Sequence, residues 1–206
     1  MTRDQSFQDE PDPSLDFSAF PSVTCALDSG HRAHSADFGP GWYSSSGDGR
    51  FDLAEPLGTL YSADDVETAT REYVGPSLRG RRKIKRELAE RFVVSEITLP
   101  EGKNYADLGS RTAERFDVIR ELLTTTDYDL TQTWAHAFED RAKLDGVRYP
   151  TRFTLGEPNA WALYGPAGAD PSITSISMID GPTACTESGL QVVDGPGHSS
   201  SYRKIT

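Results

Sequence analysis

The sequence predicts an α+β domain, because strand-like and helix-like segments are mixed along it without regular alternation. Two observations carry the prediction. VVSEITL at 93–99 alternates Val93, Ser95, Ile97 and Leu99, the period of a half-buried strand. TQTWAHAFEDRAKL at 131–144 has the composition and length of a helix. A chain of 206 residues is one ordinary domain and can bury a core without disulfides or metal.

Taken in order, residues 1–22 are polar, acidic and proline-containing, and read as a flexible tail. The folded domain is expected over 23–206. Residues 23–52 are loop-rich, with a short strand near His31–His34, and GTLYSA at 58–63 is a second strand. Val66, Ala69 and Tyr73 recur at helical spacing, so a helix is expected from Asp64 or Asp65 to the Gly75-Pro76 stop. The basic run RGRRKIKRELAERF at 79–92 reads as a solvated helix face, its Glu87 and Glu90 four residues after Lys83 and Arg86. Ala113, Phe116, Ile119 and Leu123 share one face behind a Ser110 cap, which predicts a helix over 111–123. The helix at 131–144 closes at Asp145-Gly146. VRYPTRF and NAWALYG are strand candidates, and SITSISMI and QVVD are expected at sheet edges. Trp134, Phe138 and Trp161 read as core.

Composition removes several function classes. A net charge of −11 argues against nonspecific nucleic-acid binding, which needs phosphates neutralised. No apolar run is long enough to span a bilayer, and no secretory leader pattern is present. Cys25 and Cys185 lie far apart and do not make a disulfide scaffold, so a reducing cytoplasm is the expected location. His31, His34, His136 and His198 lack partners at metal-ligand spacing, and no metal site is expected. Phosphate-loop, dinucleotide-fingerprint, HExxH and GxSxG motifs are absent. From spacing alone Glu72 is an ordinary glutamate at the rim of a helix, about 60° from Ala69.

The segments HRAH (31–34), GRFD (49–52), LYSA (60–63), the helix carrying Glu72 and DGVRYPTRF (145–153), in that order, resemble the RES domain family. That family consists of toxins of RES–Xre toxin–antitoxin modules that destroy NAD+. The resemblance implies an ADP-ribosyltransferase-like fold, a bent mixed β-core with surrounding helices. It implies cleavage of the nicotinamide–ribose bond by hydrolysis or phosphorolysis, with NAD+ as substrate and no cofactor. It also implies an Xre-type antitoxin as partner; the charge and the absence of a long apolar run add the expectation of no direct nucleic-acid or membrane contact. Carried over by position, the family's Arg falls on Arg32 and its Glu on Glu72. The arginine of the G-R-[FW] segment falls on Arg50, and the strand tyrosine on Tyr61. The family's Ser falls on Thr151, a departure that keeps a hydroxyl and adds a methyl. Arg32 and Arg50 are the implied diphosphate ligands, since guanidinium groups form forked bonds to phosphate. Tyr61, Tyr43 or Trp42 is the ring expected to stack on nicotinamide. Two alternatives stand beside this reading. One is ADP-ribosyl transfer to a macromolecule, and the other is a specialised or non-catalytic member that binds an NAD-like metabolite.

Overall fold

The computed structural model describes residues 7–25, 28–78 and 81–194. Its main element is a mixed sheet of eight strands: β1 (Ser22–Thr24), β2 (Ser29–Ser35), β4 (Leu57–Ala63), β6 (Phe92–Thr98), β7 (Asn104–Asp107), β8 (Gly146–Pro150), β9 (Asn159–Pro166) and β11 (Ser175–Asp180). They lie in the order β1-β7-β8-β9-β4-β2-β6-β11, antiparallel except for β7 beside β8. Two small sheets accompany it. One pairs β3 (Trp42–Tyr43) with β10 (Gly168–Ala169), and the other pairs β5 (Lys83–Lys85) in parallel with β12 (Gln191–Val193). The helices are α1 (Val66–Leu78), α2 (Arg86–Ala89), α3 (Tyr128–Asp140) and α4 (Gly181–Glu187). The α+β prediction holds.

The large sheet is two wings hinged at one place. β4 pairs with β9 over seven residues and β2 with β6 over seven, but β2 and β4 share only the register pair His31–Ala63. Beyond that pair the two strands diverge. The wide wing (β4, β9, β8, β7, β1) packs on α3 through Phe51, Trp134, Phe138, Val147 and Leu122, all fully buried. The narrow wing (β2, β6, β11) packs on α1 and α4 through smaller groups, chiefly Ala69, Val74, Val94, Ala184 and Cys185, around Phe92. Trp161 lies on the opposite face of the wide wing, edge-on to Tyr105 at 5.2 Å. The three aromatic residues expected in the core are all buried there.

Five expectations are corrected. First, the described part of the predicted tail is not loose. Phe17 and Phe20 are buried in the wide-wing core, ring centroids 5.9 Å apart, with Phe17 packed on Trp134 and Phe138. Trp134 Nε1 donates to the Asp9 carbonyl at 2.9 Å, and Arg141 donates to the Asp12 and Leu15 carbonyls. Two phenylalanines outweigh an acidic composition, because each buries enough apolar area to offset the ordering of the segment around it. Residues 1–6 lie outside the described residues. Second, α1 starts after an Asp65 cap on the Thr68 amide and runs through Pro76, because Val74 and Leu78 are buried on either side of the proline. Third, the described part of the basic run forms β5 and the short α2 rather than one helix, and Arg86 pairs with Asp194 rather than Glu90. Fourth, residues 111–123 form two 3-10 turns, Arg111–Phe116 and Arg120–Leu123, broken at Asp117, whose φ of 62° is left-handed. Ser110 does cap the first, but Ile119 is exposed. Fifth, the helix at 131–144 begins earlier, on an Asp127 cap, and ends at Asp140, leaving Asp145-Gly146 to open β8.

Candidate active site

The divergence of β2 and β4 opens a cleft of about 750 Å³, within the usual size range of small-molecule sites. Arg32, Arg50, Tyr61 and Glu72 all line it, together with Trp42, so the structure gathers most of the expected residues.

Arg32 sits on β2 and reaches across the seam. Its Nη1 donates to the Tyr61 carbonyl on β4 at 3.3 Å, and its Nη2 to the Trp42 carbonyl at 2.7 Å. Its Nε is buried without a partner. Burial pulls the guanidinium down to about 10, which leaves it charged at neutral pH. His34, two residues on and facing the same way, bonds the Ser35 carbonyl through Nδ1 and the Ser95 hydroxyl through Nε2, both at 2.9 Å. Burial lowers its pKa, so the neutral ring is favoured, Nδ1–H donating and Nε2 accepting.

Glu72 crosses the seam in the other direction. It projects from α1, which packs on the narrow wing, and its Oε1 accepts from the backbone N–H of Arg152 at 2.9 Å and of Phe153 at 3.0 Å, just beyond β8. Oε2 accepts no hydrogen bond among the described residues. The approach is close because of Gly75: a Cβ there would meet the Phe153 ring at 2.3 Å. Arg152 stacks on Phe153 with its guanidinium carbon 4.5 Å from the ring centroid, and its Nε is also buried without a partner.

Arg50 lies near Arg152, Tyr149, Tyr128 and Glu72, and burial followed by the Arg152 charge lowers its pKa. Its Nη1 donates to the Leu122 and Leu123 carbonyls, which commits part of the fork to structure. Among the described residues none of Arg32, Arg50 and Arg152 is in a salt bridge with a carboxylate. Three unneutralised guanidiniums around one cleft suit an anionic ligand. Tyr61 is tied into the wall: its hydroxyl donates to Asp52 Oδ1 at 2.9 Å and accepts from the Phe51 amide at 2.8 Å. Burial raises the Asp52 pKa above the ordinary value.

Two expected residues do not line the cleft. Tyr43 is core, its ring fitted against Gly165, where a Cβ would meet it at 2.8 Å, and burial pushes its hydroxyl up to about 12. The alternation of β3 sends Tyr43 inward and its neighbour Trp42 outward, so Trp42 is the ring in the cleft. The Thr151 hydroxyl donates to the Thr154 carbonyl at 3.2 Å and staples the loop that holds Glu72. Sequence reasoning missed Asp52, Arg152, Tyr128 and Tyr149. Asp52, Tyr149 and Arg152 stood inside the quoted GRFD and YPTRF segments, whereas nothing in the sequence marked Tyr128.

A split sheet, an arginine-lined cleft and one clamped carboxylate together define this α+β domain. The RES domain profile matches residues 24–179, and the chain belongs to the RES domain family. Comparison with curated protein sequences gives no match. In fold the protein is similar to a chain of the crystal structure of the M. tuberculosis MbcT–MbcA toxin–antitoxin complex, with a TM-score of 0.60 at 14% identity, covering 81% of this chain and 90% of that one. Phe17 and Phe20 precede the matched span, and α4 and β12 follow it.

Proposed function

We propose that the protein is an NAD+-consuming enzyme that cleaves the nicotinamide–ribose bond, and that it is the toxin of a toxin–antitoxin pair acting in the cytoplasm. The observation that carries the reading is the Glu72 carboxylate, fixed at Oε1 by two backbone amides on the wall of a cleft with three arginines that make no salt bridge among the described residues. Family membership and likeness in fold to a toxin–antitoxin chain support it. No helix among the described residues is long and apolar enough to cross a membrane.

The chemistry suits these groups. As the C1′–N bond breaks, its electron pair passes to the pyridinium nitrogen, and nicotinamide leaves neutral without a general acid. Positive charge grows on the ribose, and Oε2 of Glu72 stabilises it electrostatically. Water or phosphate then bonds to C1′. In the hydrolytic case the water proton passes to Glu72 and on to solvent. The arginines hold the diphosphate.

The test is incubation of the pure protein with NAD+, with and without phosphate, following nicotinamide and the ribosyl product. Free ADP-ribose marks hydrolysis and a phosphorylated product marks phosphorolysis. Labelled macromolecule marks transfer instead, and unchanged NAD+ overturns the reading.

A further inference from the structure

The cleft is lined by two chemically different groups of residues. Around Glu72 lie Arg50, Arg152, Tyr128 and Tyr149. Around Arg32 lie the Tyr61 carbonyl, the Trp42 carbonyl and, beside the latter, two outward-facing rings. Phe38 is 49% exposed and Trp42 is 36% exposed. Their centroids are 5.0 Å apart with an interplanar angle of 34°, and both line the cleft. Exposed aromatic rings in a concave site mark binding surface rather than packing.

The backbone beneath these rings is fixed. Phe38 N donates to the Ser35 carbonyl and Trp42 N to the Gly39 carbonyl. Trp42 is held by the β3–β10 pairing and by Arg32 Nη2 on its carbonyl. Gly41 lets the chain pass close to the Asp170 carbonyl, which a Cβ would meet at 2.3 Å. The two rings are thus presented in a set position, with the cationic head of Arg32 and its unpartnered Nε alongside.

On the functional reading above, on which this inference rests, the ring that leaves lies by Glu72. A dinucleotide carries a second flat heterocycle across its diphosphate. We propose that the Phe38–Trp42 pair is the stacking platform for that second ring, the purine base, and that it sets the preference for a dinucleotide over a mononucleotide. Arg32, between the platform and Tyr61, supplies the positive charge for the diphosphate that joins the halves.

The test compares NAD+ with nicotinamide mononucleotide, which keeps the scissile bond and lacks the purine half. Trp42→Ala is expected to lower the ratio of kcat/KM for NAD+ over the mononucleotide by roughly 5- to 100-fold, the loss of one base stack, with Trp42→Phe recovering part of it. An unchanged ratio overturns the platform. Calorimetric titration with ADP-ribose gives a readout free of turnover: Trp42→Ala should weaken binding by a similar factor while its thermal midpoint stays near that of the parent. Equal affinity in parent and variant overturns the proposal. Wild-type protein that binds ADP-ribose through Trp42 yet leaves NAD+ intact sinks the catalytic reading and keeps the platform.

Discussion

The two wings of the sheet are built differently. The wide wing is cemented by aromatic rings, Phe17, Phe20, Phe51, Trp134 and Phe138, and by hydrogen bonds among buried polar groups such as Asp52 and Tyr61. The narrow wing is packed with alanines, valines and a cysteine around Phe92. They meet in register at a single residue pair, yet two of the residues expected to act on substrate, Arg32 and Glu72, start on the narrow side and bond to backbone of the wide side. Arg32 ties β2 to β4, and Glu72 ties α1 to the segment after β8. The difference teaches that the candidate site is a seam, and that the side chains proposed to act there also tie its two sides together. Any substitution there needs stability measured alongside rate.

The largest expected effect tests the aromatic wing. Phe17→Ala should cost about 3–5 kcal/mol of stability by urea denaturation, the range for a buried phenylalanine. Deleting residues 1–20 should be worse, since Phe20 and the bonds to Trp134 and Arg141 go with it. A loss below about 1 kcal/mol would detach this segment from the core and restore the expectation of a free tail.

The next effect separates the two jobs of Glu72. In Glu72→Gln the amide oxygen still accepts from the Arg152 and Phe153 amides, so the thermal midpoint should hardly move. Cleavage of NAD+ should fall by about 10²–10⁴-fold, because the charge facing the ribose is gone. Glu72→Ala should lose both rate and stability. If the glutamine variant kept its rate, the carboxylate would be a clamp only.

A smaller effect lies within the wide wing. Tyr61→Phe strips the acceptor from the Phe51 amide and a donor from Asp52, at about 1–3 kcal/mol in the denaturation midpoint. The backbone carbonyl that Arg32 grips remains, so KM should change little. A large rise in KM would move the Tyr61 hydroxyl from the wall into the binding set.

What the sequence disclosed follows the same division. Six strands of the large sheet carry a local signal, β6 most clearly through its alternation, whereas β1 and β7 carry none that was read; the buried tryptophans are visible because large rings have few other places to go. HRAH, GRFD and LYSA located Arg32, Arg50 and Tyr61 because these residues lie on or beside strands in short fixed patterns. The seam was not visible: nothing local says that β2 and β4 part after one pair, or that Glu72 will be met by amides 80 residues away. The sequence could not separate Tyr43 from Trp42 for a related reason. A two-residue strand has no period to read, and its facing is set by β10, which lies 125 residues further on. The Phe17 segment was misread because composition averages over it, while two rings decide its fate.

The smallest effect concerns the narrow wing and its pH response. His34 is buried on β2 beside Arg32, and its ring spans from the Ser35 carbonyl to the Ser95 hydroxyl on β6. Burial is the main cause of its lowered pKa, and the Arg32 charge acts in the same direction. Bonds to the Ser35 and Phe38 carbonyls oppose them. Between the folded value and the ordinary 6.5, the unfolded chain binds a proton that the native chain refuses. Stability therefore rises with pH through that window, is complete above it, and is lost on acidification. The urea midpoint of the parent should drop between pH 7.5 and pH 5.5. His34→Gln, which cannot titrate, should drop less over the same interval. His31, His136 and His198 remain in both proteins, so the difference between the two slopes belongs to His34. Parallel slopes would mean that the narrow wing admits the charged ring, and that its packing beside Arg32 is looser than that of the aromatic wing across the seam.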